Sequence, residues 1–327
     1  MKKIFKLFLY VIGVLVLALG ILLGYLAMNR DKIHDQVLTS MRKKMQAKVE
    51  FGKIDFTVFR NFPLVSIELK NVLIADSLYD TYHIPLIKSK SLFLETSFWS
   101  LITLNLNVRK IILDDASVQI FKTHNDYSND YVFKNLSSKK AKPVVENKEK
   151  SNAEFNIEKI GLYSVGISIH DSLNKKHFGF RFKEVNCHLS KLVKETNIVL
   201  TGDIFMEGLT FKERKGTFIK NQELFLDAHL HIGENQDLVE ILPSTLNIGK
   251  AHFDLKGHIL TSGTGELKLM LHNEAVSLED TKNILTHKIY QKLAQFSFGG
   301  SMITDVTIQT PLKGVDGDPY EIGRAHV

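Results

Sequence analysis

After Val49, apolar and polar residues alternate along most of the chain. Ile54, Phe56 and Val58 are separated by polar positions, and Val65, Ile67 and Leu69 alternate with Ser66, Glu68 and Lys70. A period of two marks a strand with one oily face. The same pattern predicts strands over 118–120, 165–170, 178–182, 185–189, 224–232, 253–259 and 267–271. Strands of a parallel βαβ sheet would be apolar on both faces and separated by helices, so the expected architecture is antiparallel and mostly β.

Helical periodicity is confined to short stretches. Ile33, Val37, Met41 and Met45 recur four apart within 29–48, the stripe of an amphipathic helix. Residues 97–104, with Trp99, predict a short apolar helix or turn, and 234–242, stopped by Pro243, predict another. Residues 277–296 give the clearest helix signal, since Ser277 and Asp280 form a capping-box pair and Ile284, Ile289 and Leu293 share a side. The polar stretch 137–152 has almost no large apolar groups and reads as a flexible linker between a first β segment (29–136) and a second (153–320). The last seven residues, 321–327, read as the translation of a sequencing-library adapter and are set aside as a scar; on that reading the natural protein continues beyond Tyr320.

The first 28 residues follow a different logic. From Leu7 to Met28 no residue is charged, and a helix of that length measures about 33 Å, enough to cross a bilayer core of about 30 Å. A cleaved secretory signal is the alternative, but its apolar region runs to about 7–15 residues before a small-x-small site. Here the run is longer, and the sequence from Tyr25 to Arg30 offers no such site. The expectation is an uncleaved signal anchor over 7–28. Lys2, Lys3 and Lys6 mark 1–6 as the cytoplasmic flank, which sends the remainder across the membrane.

Composition adds exclusions. With 44% hydrophobic and 24% charged residues the chain has a globular balance and is not disordered. Cys187 is its only cysteine, which removes any internal disulfide and the C-x-x-C spacing of zinc or redox sites. The net charge of +6 is spread among scattered lysines, with no helix-turn-helix, zinc finger or aromatic RNA platform, so no nucleic-acid partner is expected.

Several of these features occur together in one family. A signal anchor and exit helix are followed by Val49-Glu50-Phe51-Gly52-Lys53-Ile54-Asp55-Phe56 and then Phe62-Pro63-Leu64-Val65-Ser66-Ile67-Glu68-Leu69-Lys70-Asn71-Val72. Further on come Ile87-Lys88-Ser89-Lys90-Ser91-Leu92, the turn Phe98-Trp99-Ser100-Leu101, and 108–118. The N-terminal part, to about Leu136, resembles AsmA-like proteins of Gram-negative envelopes (the AsmA/TamB type), and 157–310 resembles them more loosely. One departure is that Asn125-Asp126-Tyr127-Ser128-Asn129 lacks the glycine of the family's turn, which implies a longer turn. The resemblance implies an elongated, curved, groove-like sheet in the periplasm, held in the inner membrane through 7–28. It further implies a bridge-like lipid-transfer role with phospholipid as partner, and outer-membrane assembly proteins as further candidate partners.

Lipid handling requires a continuous apolar surface, and each buried methylene contributes about 0.8 kcal/mol. The candidate groove residues are Val65, Ile67, Leu69, Ile167, Ile169, Leu226, Leu230, Phe253, Leu255 and Ile259. Periodicity alone does not separate an open groove from a closed sandwich core, so a structural or interaction scaffold of the envelope without lipid binding is the alternative function. Catalytic chemistry finds no footing. No G-x-S-x-G, Walker P-loop, G-x-G-x-x-G after a strand or H-E-x-x-H is present. Gly166-Ile167-Ser168-Ile169-His170 lacks the second glycine of a nucleophile elbow and reads as a strand, and Asp114-Asp115 reads as a turn. His229, His231, His252 and His258 read as solvent-facing side chains rather than metal ligands, and no cofactor is expected.

Overall fold

The structure is a computed structural model. It describes residues 20–21, 24–25, 28–57, 64–97, 99–100, 103, 107–123, 127–132, 154–311 with short gaps at 174, 193, 235–236, 264, 283 and 297–299, and 320–326. Among the described residues fifteen strands join a single sheet. They are β1 (Lys48–Glu50), β2 (Ile54–Thr57), β3 (Leu64–Ala75), β4 (Ile87–Ser97), β5 (Asn107–Lys122), β6 (Glu154–Asp171), β7 (Lys176–Lys191), β8 (Thr196–Lys212), β9 (Gly216–Phe218), β10 (Gln222–Ile232), β11 (Leu238–Ile248), β12 (Ala251–Leu260), β13 (Glu266–Val276), β14 (Met302–Pro311) and β15 (Tyr320–His326). The helices are α1 (Arg30–Met45), α2 (Tyr79–Tyr82), α3 (Leu278–Thr281) and α4 (His287–Leu293).

The strand order is β1-β3-β4-β5-β6-β7-β8-β10-β11-β12-β13-β14-β15, with β2 on β3 and β9 on β8; β1 and β15 do not meet, so the sheet is open. Steps of about 4.8 Å from β1 to β14 give it a width of about 53 Å. All neighbours are antiparallel except β5 and β6, which run parallel from Asn107↔Glu154 to Lys122↔Asp171. The expected boundary at 137–152 falls in the connection between these two strands, outside the described residues, and the sheet passes it without a break. β15 includes residues 321–326 of the segment expected to be an adapter scar, and pairs along β14. The ladder is built by main-chain groups, so an open edge accepts any extended segment.

Three non-glycine residues with positive φ, Asn71 (54°), Asp115 (48°) and Ser164 (53°), lie on one line across the sheet. The flanking register fixes this line, since Lys70↔Ser91, Ser91↔Asp114 and Asp114↔Tyr163 stand on one side of it and Val72↔Ser89, Ser89↔Ala116 and Ala116↔Val165 on the other. At each strand crossing the alternation slips by one residue, so Leu69 and Val72, Leu113 and Ala116, and Leu162 and Val165 stay on one face. The crease bends the sheet without interrupting its apolar surface. It also explains why periodicity divides β7 at 182/185, because Phe182 and Val185 straddle the same line.

Three local expectations are corrected. The described residues within 234–242 do not form a helix. From Leu238 onward they belong to β11, and Pro243 sits where the register with β12 shifts between Ile241 and Ser244, an irregularity that tolerates a residue with no amide proton. Asp114 and Asp115 lie inside β5 rather than in a turn. Residues 277–296 form two short helices instead of one. Ser277 and Asp280 make the expected capping box on α3, while the Thr286 hydroxyl accepts from the Ile289 amide and starts α4 anew.

Helix α1 lays its stripe on the first strands. Ile33 is 0% exposed, Val37 2%, Met41 7% and Met45 5%, and they pack with Val65, Ile67 and Leu69. Arg42 donates to the Val49 carbonyl near the helix end, while Arg30 near its start donates to Asp55 Oδ1 at 3.1 Å. Lys70 Nζ lies 2.7 Å from Asp55 Oδ2, and this hydrogen bond, then the charges of Lys70, Arg30 and Lys53, holds the Asp55 carboxyl below its ordinary 3.8. A depressed carboxylate stabilises the fold fully above pH 3.8 and loses that contribution as pH falls through the lower folded value. Asp55→Asn should therefore flatten the acid limb of a Tm-against-pH curve below that point. The neutral-pH loss should stay under about 1 kcal/mol, because the pair is half exposed and screened. An unchanged acid limb would exclude the tether.

No helix among the described residues is long and apolar enough to cross a membrane, and 7–19, 22–23 and 26–27 of the expected span lie outside them.

Candidate functional site

The register places one apolar residue after another across the sheet. Leu69, Leu92, Leu113, Leu162, Val185, Gly202, Leu226, Leu246 and Phe253 form a single row from β3 to β12, each the direct cross-strand partner of the next. Eight interstrand steps make it about 38 Å long. A second row runs Ile67, Leu94, Ile111, Ile160, Cys187, Leu200 and Ala228. Beyond the crease, Val118, Ile167, Phe180 and Met206 form a third. Cys187 belongs to this face, and burial pushes its thiol up.

Two buried clusters lie along the face. The first is closed by α1, and the second, which includes Val185, Ile204, Leu224 and Phe253, is capped by Ile284 from the segment between α3 and α4. Leu162 and Phe182 border both clusters, so the apolar surface is continuous between them. The Ile219 amide donates to the Ile284 carbonyl at 2.9 Å, and Lys288 Nζ donates to the Arg214 carbonyl at 2.8 Å, which ties the cap to the β8–β9 hairpin.

All ten candidate groove residues fall on this one face, but in different states. Val65, Ile67 and Leu69 are 0% exposed under α1 and form a closed core. Phe253 is buried in the second cluster. Ile167, Ile169, Leu226, Leu230, Leu255 and Ile259 are half-buried. Residues outside the ten candidates, notably Leu200, Leu246 and Leu271, line the same stretch between and beside them. The signal that finds them is cross-strand register, which becomes visible only once the strands are aligned.

Polar chemistry is dispersed over the opposite face and the edges. β11 separates β10 from β12, so His231 and His258 stand two strands apart on either side of Glu240. Each of the four histidines has a side-chain partner nearby: Asp227 at 3.5 Å for His229, Asn197 at 2.9 Å for His231, Asn247 at 2.6 Å for His252 and Glu266 at 3.2 Å for His258. Glu266 is held below its ordinary range, first by the Gln309 amide and then by His258. Among the described residues no group of three His, Cys, Asp or Glu side chains is placed to hold a metal ion. Ser168 is an ordinary strand residue, paired with Gln119 and Gly179. A hollow of about 690 Å³ on the polar face is lined by Asp254, Lys256, His272 and Asp305, and one of about 770 Å³ by Ser66, Glu95, Lys110 and Asp114.

No protein-family model matches the chain, and no curated protein matches it.

Proposed function

We propose that this is a non-enzymatic protein of a Gram-negative envelope, anchored in the inner membrane by 7–28, whose periplasmic body handles or transports phospholipid between the envelope membranes and supports outer-membrane assembly. The observation that carries the reading is the continuous apolar face of a single open sheet, on which Ile167, Leu226, Leu230, Leu255 and Ile259 are only partly buried. Among the described residues no second sheet opposes this surface, and acyl chains offer such a cover. Each methylene taken from water onto the surface contributes up to about 0.8 kcal/mol. The resemblance of the N-terminal part to AsmA-like proteins points the same way.

The test is native mass spectrometry of residues 33–310, purified in mild detergent and then stripped of it. Co-purified phospholipid is expected, and Ile167→Asp with Leu226→Asp should reduce its occupancy at least about tenfold, equivalent to about 1.4 kcal/mol. Circular dichroism must show the strand content kept. A folded, lipid-free protein would instead favour a scaffold that docks other envelope proteins.

A further inference from the structure

We propose that the sheet end beside which α1 begins is a membrane-docking surface, seated in the headgroup layer of the bilayer that holds 7–28, with Trp99 and Leu192 as its anchors. The inference rests on 7–28 being a membrane anchor, as proposed above.

The geometry follows from how α1 lies on the sheet. Its last turn is level with β1, where Val49 pairs with Ile74, and its first turn is level with Asp55, which pairs with Glu68. Moving backward along the helix is therefore moving toward Leu64 and its partner Ser97, one end of the sheet. Helical hydrogen bonding continues upstream, from the Asn29 amide to the Tyr25 carbonyl at 3.0 Å, and residues 20–21, 24–25 and 28 are helical. From Arg30 back to Gly20 is about 15 Å at the helical rise, and from Glu68 to Leu64 about 13 Å along a strand. Gly20 thus stands level with the end of the sheet. The last turns of the apolar segment flank the sheet instead of projecting beyond it, and they expose Ile21 at 67% and Met28 at 87%. These residues leave water only if the end of the sheet enters the membrane interface with them.

That end carries the side chains such a position calls for. Trp99 is 69% exposed just beyond Ser97, and Leu192 is 62% exposed at the tip of the β7–β8 hairpin. Thr96, Val108 and Phe155 are direct partners in one row, and continuing the Lys159↔His188 register places Leu192 beside Phe155. Leu192 therefore stands level with Thr96, about 14 Å away across three interstrand steps, and Trp99 follows three residues beyond Thr96 at the same end of the sheet. An indole has an apolar body and one N–H donor, the combination that concentrates at bilayer interfaces. Lys191 and Lys194 flank Leu192, exposed, with Lys194 bound to Glu234 at 2.8 Å, and their stems can lie along the acyl boundary while the ammonium groups stay in water.

Trp99 is the only tryptophan in the chain, so its fluorescence reports this one position. Full-length protein should be reconstituted into phosphatidylcholine vesicles whose acyl chains are brominated near the headgroup, and its resistance to alkaline carbonate extraction recorded alongside. The expected result is a carbonate-resistant protein whose emission maximum shifts to the blue, loses most of its intensity to the brominated lipid and is insensitive to iodide. A Trp99→Phe, Leu192→Trp variant should behave alike. Carbonate-resistant protein whose emission is quenched by iodide and not by the lipid would overturn the docking surface and leave the anchor standing. A blue shift without lipid quenching would place Trp99 against another protein, a second copy included, and would also overturn it. Carbonate extraction of the protein would defeat the anchor reading and the docking surface together.

Discussion

Gly202→Ala should cost about 3 kcal/mol or more and lower the urea midpoint by about 1–2 M, at the upper end of what overpacking does. Gly202 sits in the long apolar row between Val185 and Leu226 with φ at +154°, and an added Cβ would lie 2.1 Å from the Glu184 carbonyl oxygen and 2.6 Å from Val185 Cα. Both atoms are main chain of β7, which is hydrogen-bonded to β6 and β8 and has nowhere to retreat. Gly257→Ala meets the same obstacle, 2.0 Å from the Lys268 carbonyl oxygen on β13. Gly233 has nothing within 4 Å of a built Cβ and serves as the control, with Gly233→Ala expected within about 0.5 kcal/mol of the parent. Denaturation of the body over 33–310 in urea checks all three. A Gly202→Ala protein as stable as the Gly233→Ala control would mean that β7 and β8 are not paired in this register.

The second large effect is expected at α1. Ile33 is fully buried and Val37 nearly so, and shortening a fully buried Ile to Ala removes about 2–5 kcal/mol, part transfer and part cavity. Ile33→Ala with Val37→Ala should loosen the first half of the helix from β3 and β4, because that half then holds on mainly by the polar contact of Arg30, while Met41 and Met45 stay buried near the helix end. Loosening would expose Val65, Ile67 and Leu69 and extend the open apolar face to the first edge of the sheet. Binding of an anilinonaphthalene dye should rise several-fold, and trypsin should gain a cut at Arg42 or Lys43 that the parent lacks. If the double variant keeps the parent's dye binding and cleavage pattern, α1 does not close that end of the face.

Much of this protein is legible in the order of its residues, and the reasons are local. The stripe Ile33, Val37, Met41 and Met45 predicts a helix buried on one side, and all four are buried. The alternation in Val65, Ile67 and Leu69 predicts a strand with one inward face, and each is 0% exposed. Both readings succeed because a side chain's direction is set by φ and ψ within a few residues. The local signal fails where the backbone departs from its repeat. Asp115, of a type that enters the left-handed region more readily than most, reads as a turn, Ser164 carries no such mark, and the crease they share makes β7 read as two strands. Residues 234–242 read as a helix because Pro243 resembles a stop, whereas its lack of an amide proton equally suits an irregular point in a strand.

The candidate groove divides in the same way. Its side of the sheet is legible, since all ten residues share a face, but which of them are covered depends on segments far away in the chain. Leu69 and Leu226 occupy one cross-strand row, yet α1 closes over the first, while the second is only partly buried. Sequence by itself determined the mostly β class, the apolar stripe of α1 and the capping box at Ser277, each a matter of contacts within a few residues. Tertiary structure alone decided the strand order, the parallel join of β5 to β6, the line of the crease and the boundary between closed core and open face. Those depend on cross-strand register and on distant helices packing down, and neither leaves a periodic mark in the residues it brings together.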